Sequence, residues 1–241
     1  MASLHSLIQR GRHAEFEALL KQHPERLEER SESGDTPLHI AAWQNRVSML
    51  RRLIELGANL NARGWCGFAP LHYAAKQGST KSARELMEAG ADLNARDDCN
   101  FWPIHHALRG REPQCVDVVR LLEEAGASFD LSCHVMRGDA AKVRQLIAQN
   151  PNAIHQGPLA RDLVYDATLW IVCQADEALH PHNASEKSQI ASEHRALLDV
   201  LLDAGADVND FRWSGESALQ LARTAYNPFL MELLIARGAK T

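Results

Sequence analysis

The strongest candidates for metal chemistry in this sequence are three histidines, His180, His182 and His194. Imidazole nitrogens ligate zinc and other transition metals. The segment that carries them is irregular, however, and no cysteine or carboxylate cluster completes the spacing of a four-ligand site. The sequence therefore predicts no metal site, and it leaves a metal-sensing or ligand-sensing segment as the alternative function.

Nucleophilic catalysis is the second chemistry that these residue types could support. Cys133 and His134 are the only neighbouring cysteine and histidine, and they fall within a predicted helix. Side chains of adjacent helical residues point about 100° apart, so they cannot form a nucleophile–base pair. The sequence also contains no Gly-x-Ser-x-Gly, no phosphate-cradling loop and no nucleotide fingerprint. We therefore predict that the protein is not an enzyme and requires no cofactor.

Cysteine usage favours a reducing compartment. The chain has five cysteines, an odd number with no zinc-site spacing: Cys66, Cys99, Cys115, Cys133 and Cys173. This pattern does not indicate the disulfide framework of a small secreted domain. We expect free thiols and a cytoplasmic protein.

A four-residue signature recurs every 33 residues and indicates a stack of repeats. It stands at Thr36-Pro37-Leu38-His39, Ala69-Pro70-Leu71-His72 and Trp102-Pro103-Ile104-His105. A second signature, a Gly-Ala pair followed by Asn or Asp, keeps the same phase at 57–61 and 90–94. The agreement of two signatures in one register indicates a true repeat.

The residue types in these signatures predict a helix–turn–helix unit. Each proline fits the first turn of a helix, where a missing N–H costs nothing and φ is already helical. Apolar residues such as Leu53-Ile54 and Leu86-Met87 then give the buried stripe of a second helix. Gly57 and Gly90 follow these stripes, where the chain needs a left-handed residue to end the helix.

At these positions the chain resembles the ankyrin repeat family, most closely between Ser31 and Arg96. The resemblance continues weakly at Gly126-Ala127 and returns at 205–209 and 238–239. It implies an all-α solenoid of about seven helix–turn–helix units joined by short hairpin loops. It also implies a structural role for three histidines, whose rings hydrogen-bond neighbouring turns: His39, His72 and His105.

The register of the signatures predicts one ankyrin-repeat domain over 1–241. Its units are an amino-terminal cap at 1–30, regular repeats at 31–63, 64–96 and 97–130, a degenerate repeat at 131–157, a repeat at 158–209 and a carboxyl-terminal cap at 210–241. The repeat at 158–209 contains a long insertion at 176–193, which carries His180 and His182. Insertions in repeat proteins map to one surface and often serve binding, although a tolerated mobile loop fits the same pattern.

Composition excludes several classes of partner. The net charge of −5, with both signs mixed locally, argues against a nucleic-acid footprint, which requires a basic surface. The sequence has no run of about 18 apolar residues, so no membrane span is expected. The remaining class is another protein, and we expect the chain to be a monomer when it is unbound.

The resemblance places a binding face on the hairpin tips and the exposed side of the first helices, which together form a concave surface in similar proteins. The residues expected to contact a partner there are Trp43, Gln44, Trp65, Phe68, Lys76, Phe101, Arg109 and Trp213. Large aromatic side chains at solvent-facing tips are typical binding anchors. Phe68 and Phe101 closely precede repeat prolines, so packing between hairpins is the alternative for them. Asp35 is also expected at an exposed position of this surface.

These features predict a non-catalytic protein–protein interaction module. It would act as an adaptor, or as an inhibitor or self-protection protein that covers a partner enzyme, since hairpin tips or the insertion at 176–193 could enter a cleft. A scaffold or a secreted effector is equally compatible with the sequence.

Overall fold

The computed structural model describes residues 3–110, 113–155, 163–177, 195–209 and 215–240, without the side chains of Trp170 and 173–177. Every regular element within these ranges is helical, and no β-strand occurs among them. The chain forms two compact units, Met1–Ser128 and Phe129–Thr241. None of the described helices is both long and apolar enough to cross a bilayer. The all-α prediction is confirmed, whereas the number and boundaries of the repeats stay a prediction.

The first unit consists of four pairs of helices, and tight turns join the two helices of the first three pairs. The helices are α1 (Leu4–Gln9), α2 (His13–Gln22), α3 (Pro37–Trp43), α4 (Val47–Glu55), α5 (Pro70–Gln77), α6 (Thr80–Glu88), α7 (Pro103–Leu108) and α8 (Cys115–Glu124). Short 3₁₀ turns occur at Pro24–Glu28 and Trp65–Gly67. The first helices contact one another in series, α1 with α3, α3 with α5, and α5 with α7. The second helices α4, α6 and α8 do likewise. This is a helix–turn–helix stack.

Proline begins each first helix that carries the signature. The helices α3, α5 and α7 start at Pro37, Pro70 and Pro103, as the sequence predicts. In α5, Nδ1 of His72 accepts the backbone N–H of Ala69 at 3.0 Å, and the equivalent bond occurs in α3 and α7. Because Nδ1 accepts a hydrogen bond, the proton of each neutral ring lies on Nε2.

The other ring nitrogen of these histidines connects one hairpin to the next. Nε2 of His39 donates to the carbonyls of Ala62 and Phe68, both at 2.9 Å. Nε2 of His72 donates to the carbonyl of Phe101 at 3.1 Å. Both rings are fully buried, where a lost hydrogen bond leaves an unsatisfied polar group. The structural role predicted for His39 and His72 is confirmed.

Left-handed glycines follow the second helices of the first unit. Gly57 and Gly90 have φ of +86° and +92°. A side chain at such φ values would strain the backbone, so glycine closes α4 and α6 at the lowest cost. The position predicted for these two residues is confirmed.

The second unit is built around an aliphatic core. Its helices are α9 (Leu131–Met136), α10 (Ala140–Gln149), α11 (Leu163–Glu177), the helical stretch 195–203, which we label α12, α13 (Ala218–Thr224) and α14 (Pro228–Ala236). The core includes Val135, Val143, Leu198, Leu219 and Leu234. The predicted insertion at 176–193 follows the body of α11. From residue 178 onward it lies outside the described residues, together with His180, His182 and His194.

Candidate functional site

The hairpin tip between α4 and α5 presents Trp65 to solvent. This residue is 50% exposed, and it begins the 3₁₀ turn Trp65–Gly67. The Trp65 N–H donates to Oδ1 of Asp35 at 3.0 Å, which connects this tip to the preceding hairpin. The indole ring is therefore exposed on a backbone that is held in place.

Asp35 organises this tip from the inside and is only 5% exposed, so the expectation of an exposed position is wrong. Besides the Trp65 N–H, it accepts the Tyr73 hydroxyl on Oδ1 at 2.8 Å and the Ser33 hydroxyl on Oδ2 at 2.7 Å. Burial acts to raise the pKa of Asp35, but these hydrogen bonds outweigh burial and hold the pKa below its ordinary value. Asp35 is therefore ionised, and its carboxylate accepts hydrogen bonds from within the fold.

Tyr73, a half-buried residue of α5, joins the aromatic side chains of this surface. Its ring meets the Trp43 ring edge-on with a centroid distance of 5.7 Å, and it meets the Phe68 ring at 5.5 Å. Phe68 in turn lies 5.8 Å from the Trp65 ring. Burial and the hydrogen bond to Asp35 raise the pKa of Tyr73, so its hydroxyl remains a donor. Trp43 on α3 and Trp65 on the tip before α5 thus belong to one continuous aromatic cluster.

Phe68 and Phe101 are placed inside the stack. They are 5% and 8% exposed. Phe68 stacks on His72 with a centroid distance of 5.5 Å and meets the His106 ring at 4.6 Å, while Phe101 lies 5.8 Å from His106. These contacts leave little ring surface for a partner, so packing between hairpins describes the two residues better than direct binding does.

Two cations lie over these aromatic rings. Nζ of Lys76, in the last turn of α5, lies 5.4 Å from the Phe68 centroid and 5.9 Å from the Trp65 centroid. Arg109 stands 33 residues further on, at the end of α7, with its Cζ 4.9 Å from the centroid of Phe101. A cation over a ring face is attracted by the ring quadrupole, by about 0.5–1 kcal/mol at an exposed site. These contacts position both charges at equivalent points of successive repeats.

A buried group of His72, Asp97 and His106 has possible metal-ligand atoms within 4.8 Å of one another. These atoms are already used within the protein. Nε2 of His106 bonds to Oδ2 of Asp97 at 2.8 Å, and His72 uses both ring nitrogens for the backbone bonds given above. A metal ion would have to replace these bonds, so the group fits internal hydrogen bonding better than metal binding.

Burial sets the protonation of this group. Burial and the neighbouring His106 ring lower the pKa of His72 to about 4. Burial also lowers the pKa of His106, although the hydrogen bond with Asp97 opposes the shift. For Asp97, burial acts to raise the pKa, but hydrogen bonds from His106 and the Phe101 N–H hold it below its ordinary value. At neutral pH the group therefore contains neutral imidazoles and an ionised carboxylate.

We refer to the accessible part of this surface as the first-helix face, made of Trp43, Gln44, Trp65, Tyr73, Lys76 and Arg109. Gln44, Trp65 and Lys76 are exposed, whereas the other three residues are half-buried. Trp213, which is also expected to bind a partner, lies outside the described residues. Tyr73 is absent from the residues expected to bind, because its partner Asp35 stands 38 positions away and no spacing rule connects them.

The residues of the first-helix face fall within two sequence matches to one protein family. An ankyrin repeat model matches residues 33–65, and a model for multiple ankyrin repeats matches residues 71–123. This chain is an ankyrin repeat protein. No curated protein matches its sequence.

Solved structures share the fold of this ankyrin repeat protein. One is an ankyrin repeat domain from Acinetobacter baumannii AYE, with 24% identity, a TM-score of 0.50, and coverage of 98% of each chain. Another is the ankyrin repeat domain of Bcl-3, described as a unique member of the IkappaB protein family. It has 23% identity and a TM-score of 0.52, and the match covers 100% of this chain and 87% of that one. At these identities the likeness shows the fold alone.

Ankyrin repeat proteins share a general role. Ankyrin repeats generally mediate protein–protein interaction, and the fold is typically a non-catalytic module. In this ankyrin repeat protein, aromatic and cationic side chains are accessible on the first helices and on the hairpin tip at Trp65.

Proposed function

We propose that this ankyrin repeat protein is a non-catalytic module that docks one partner protein on its first-helix face. The observation that carries the proposal is the 50% exposure of Trp65, which Phe68 and Tyr73 connect to the half-buried Trp43 in one aromatic cluster. Tryptophan is enriched among the residues that dominate binding energies at protein interfaces. This face corresponds to the surface that the sequence resemblance predicts to be concave.

Preorganisation supports the same assignment. The backbone of Trp65 is fixed by the Asp35 carboxylate, and its ring leans on Phe68 and Lys76. A side chain that is already held loses little conformational freedom when a partner covers it, so more of the contact energy appears as affinity. A docking site that needs no rearrangement fits a stack of rigid repeats.

The proposed role is that of an adaptor or an inhibitor. In an inhibitor, the first-helix face or a hairpin tip would cover the partner's catalytic cleft, whereas an adaptor would leave the partner active. Measuring the activity of a captured enzyme with and without this protein separates the two roles. We further propose that the protein is a monomer when no partner is bound. A location in the reducing cytoplasm is proposed because the thiols of Cys66 and Cys99 are exposed and free.

The proposal is tested by quantitative pull-down from the source organism with three baits: wild type, Trp65→Ala and Phe229→Ala. Phe229 is the matched control, since it is an exposed aromatic residue, 39% accessible, on α14 of the second unit. We expect Trp65→Ala to weaken binding by about 2 kcal/mol or more, measured as a dissociation constant for the recovered partner. Phe229→Ala should bind as wild type does. If Trp65→Ala binds the partner as tightly as wild type does, the partner does not dock on the first-helix face.

A further inference from the structure

The charges of the first-helix face are distributed unevenly between its surface and its interior. Asp35 and Asp97 are both 5% exposed and accept hydrogen bonds from within the fold. Lys76, by contrast, is exposed, and Arg109 is half-buried over a phenylalanine ring. The two aspartates therefore keep their charge inside the fold, whereas Lys76 presents its positive charge to solvent.

The positive charge of Lys76 lies close to two aromatic rings. Its described contacts are with the faces of Trp65 and Phe68. In the part of the chain that the structure describes, no carboxylate lies within ion-pair distance of its Nζ. The ammonium group is therefore positioned by the rings without being neutralised.

Two exposed acids lie on the hairpin tips before and after Trp65. Asp98, on the next hairpin tip, pairs with Arg63 at 2.6 Å. Glu32 is exposed on the tip before Trp65. The protein as a whole carries a net charge of −5, so this cationic patch stands against the overall sign of the molecule. Such a local reversal selects for a partner of opposite charge.

Resting on the proposed function, we infer that the first-helix face binds an acidic segment of its partner protein. A carboxylate of that segment pairs with the Lys76 ammonium, and an apolar side chain beside it covers the exposed Trp65 ring. Trp43 and Arg109 extend the apolar and cationic parts of the same site along the neighbouring helices. Two cations are too few for a nucleic-acid backbone, where affinity depends on neutralising many phosphates.

The inference is tested by selecting a display library of short random peptides on the full-length protein. We expect the selected peptides to be enriched in Asp or Glu next to an aromatic or aliphatic residue. A selected peptide is then synthesised and titrated against wild type, Lys76→Glu and Lys81→Glu. Lys81 is the matched control, since it is exposed on the second helix α6 and its substitution changes the net charge equally.

Lys76→Glu should lower the affinity for the acidic peptide by about tenfold and should reduce the salt dependence of binding. Lys81→Glu should change the affinity by less than about twofold. A peptide in which Lys replaces the acidic residue should bind Lys76→Glu better than wild type. Lys76→Gln, which keeps the side chain polar without the charge, should give an intermediate affinity, and it serves if Lys76→Glu fails to fold.

The outcomes separate this inference from the proposed function. Selected peptides that lose binding on Trp65→Ala but are neutral, basic or dependent on phosphorylation would overturn the acidic partner and leave the docking face in place. Equal effects of Lys76→Glu and Lys81→Glu would also overturn it, because net charge alone would then explain the result. Failure to select any peptide that depends on Trp65 would count against both proposals.

Discussion

The two units of this ankyrin repeat protein differ in the polar side chains that they bury. The buried polar residues of the first unit include Asp35, His39, His72, Asp97 and His105. Those of the second unit, among its described residues, are Ser132, Asp166 and Thr168 within an aliphatic core. Hydrogen bonds have fixed directions, whereas apolar burial is non-directional. The first unit thus holds its hairpins in a defined register, and the candidate binding face lies there.

The third residue after the N-cap of a first helix shows how the polar residues of the two units differ. In α13, Gln220 occupies the place that His72 has in α5, and its Oε1 accepts the Ser217 N–H at 2.8 Å. His72 makes the equivalent local bond and also reaches the Phe101 carbonyl of the next hairpin. The glutamine caps its own helix, while the histidine caps a helix and connects two repeats.

Removing the histidine should therefore cost much more stability than removing the glutamine. His72→Ala leaves a buried N–H and a buried carbonyl without partners and opens a cavity, so the free energy of unfolding should fall by about 3–5 kcal/mol. Gln220→Ala removes one exposed cap and should cost about 0.5–1 kcal/mol. Urea denaturation followed by circular dichroism measures both changes. Similar losses for the two variants would show that bonds between hairpins do not distinguish the units.

Mild acid should destabilise the fold through the buried histidines of the first unit. The pKa of His72 is lowered from 6.5 to about 4, so the neutral ring contributes its full stability above pH 6.5 and loses it as the pH falls towards 4. Between pH 7 and pH 5 this residue alone should lower the free energy of unfolding by about 2 kcal/mol. His39 and His106, whose pKa values burial also lowers, act in the same direction.

The measurement for this acid effect is urea denaturation of wild type and His72→Gln at several pH values between 7 and 5. Because glutamine does not titrate, the variant should show a smaller slope of stability against pH. A wild-type stability that stays constant over this range would contradict the lowered pKa of His72.

The bond between Tyr73 and Asp35 should contribute a smaller amount. Tyr73→Phe leaves the buried carboxylate with one donor fewer, so stability should fall by about 1.5 kcal/mol. Tyr226→Phe is the matched control, because Tyr226 is 91% exposed and loses only a solvated hydroxyl. Thermal denaturation of both variants gives the comparison. An unchanged melting temperature for Tyr73→Phe would mean that water replaces the hydroxyl at Asp35.

Trp65→Ala should have the smallest effect on stability. Half of this residue is exposed and its backbone bond to Asp35 does not depend on the ring, so only the ring contacts with Phe68 and Lys76 are lost and the free energy of unfolding should fall by no more than about 1 kcal/mol. Thermal denaturation of this variant, measured together with its affinity, shows whether the Trp65 ring binds a partner or packs within the fold. Loss of stability with unaltered affinity would make the ring structural.

Local sequence pattern predicted the parts of this fold that depend on neighbouring residues. Pro70 begins α5 because its ring fixes a helical φ, and Gly90 follows α6 because the chain there has a φ of +92°. Each requirement belongs to one residue, so the residue type reveals it. The recurrence of both at 33 residues then made the stacking of helices predictable.

The candidate site depended more on contacts that no spacing rule reveals. Phe68 was expected at an exposed tip with packing as the alternative, and the structure buries it against His72 and His106. The repeat register places Asp35 on a hairpin surface, yet donors from the next repeat turn its carboxylate inward. Whether a hairpin side chain faces solvent depends on which residue of the adjacent repeat meets it.

The sequence by itself determined the family, the helical repeat and the histidines that join the hairpins, because these follow from residue type and a fixed period. Only the tertiary structure decided which side chains of the hairpins remain available to a partner. Burial, hydrogen bonding and charge at each position are set jointly by residues about one repeat apart in sequence, such as Asp35 and Trp65 or His72 and Phe101. Stacking brings these residues together, and the resulting contacts leave the Trp65 ring and the Lys76 ammonium at the surface.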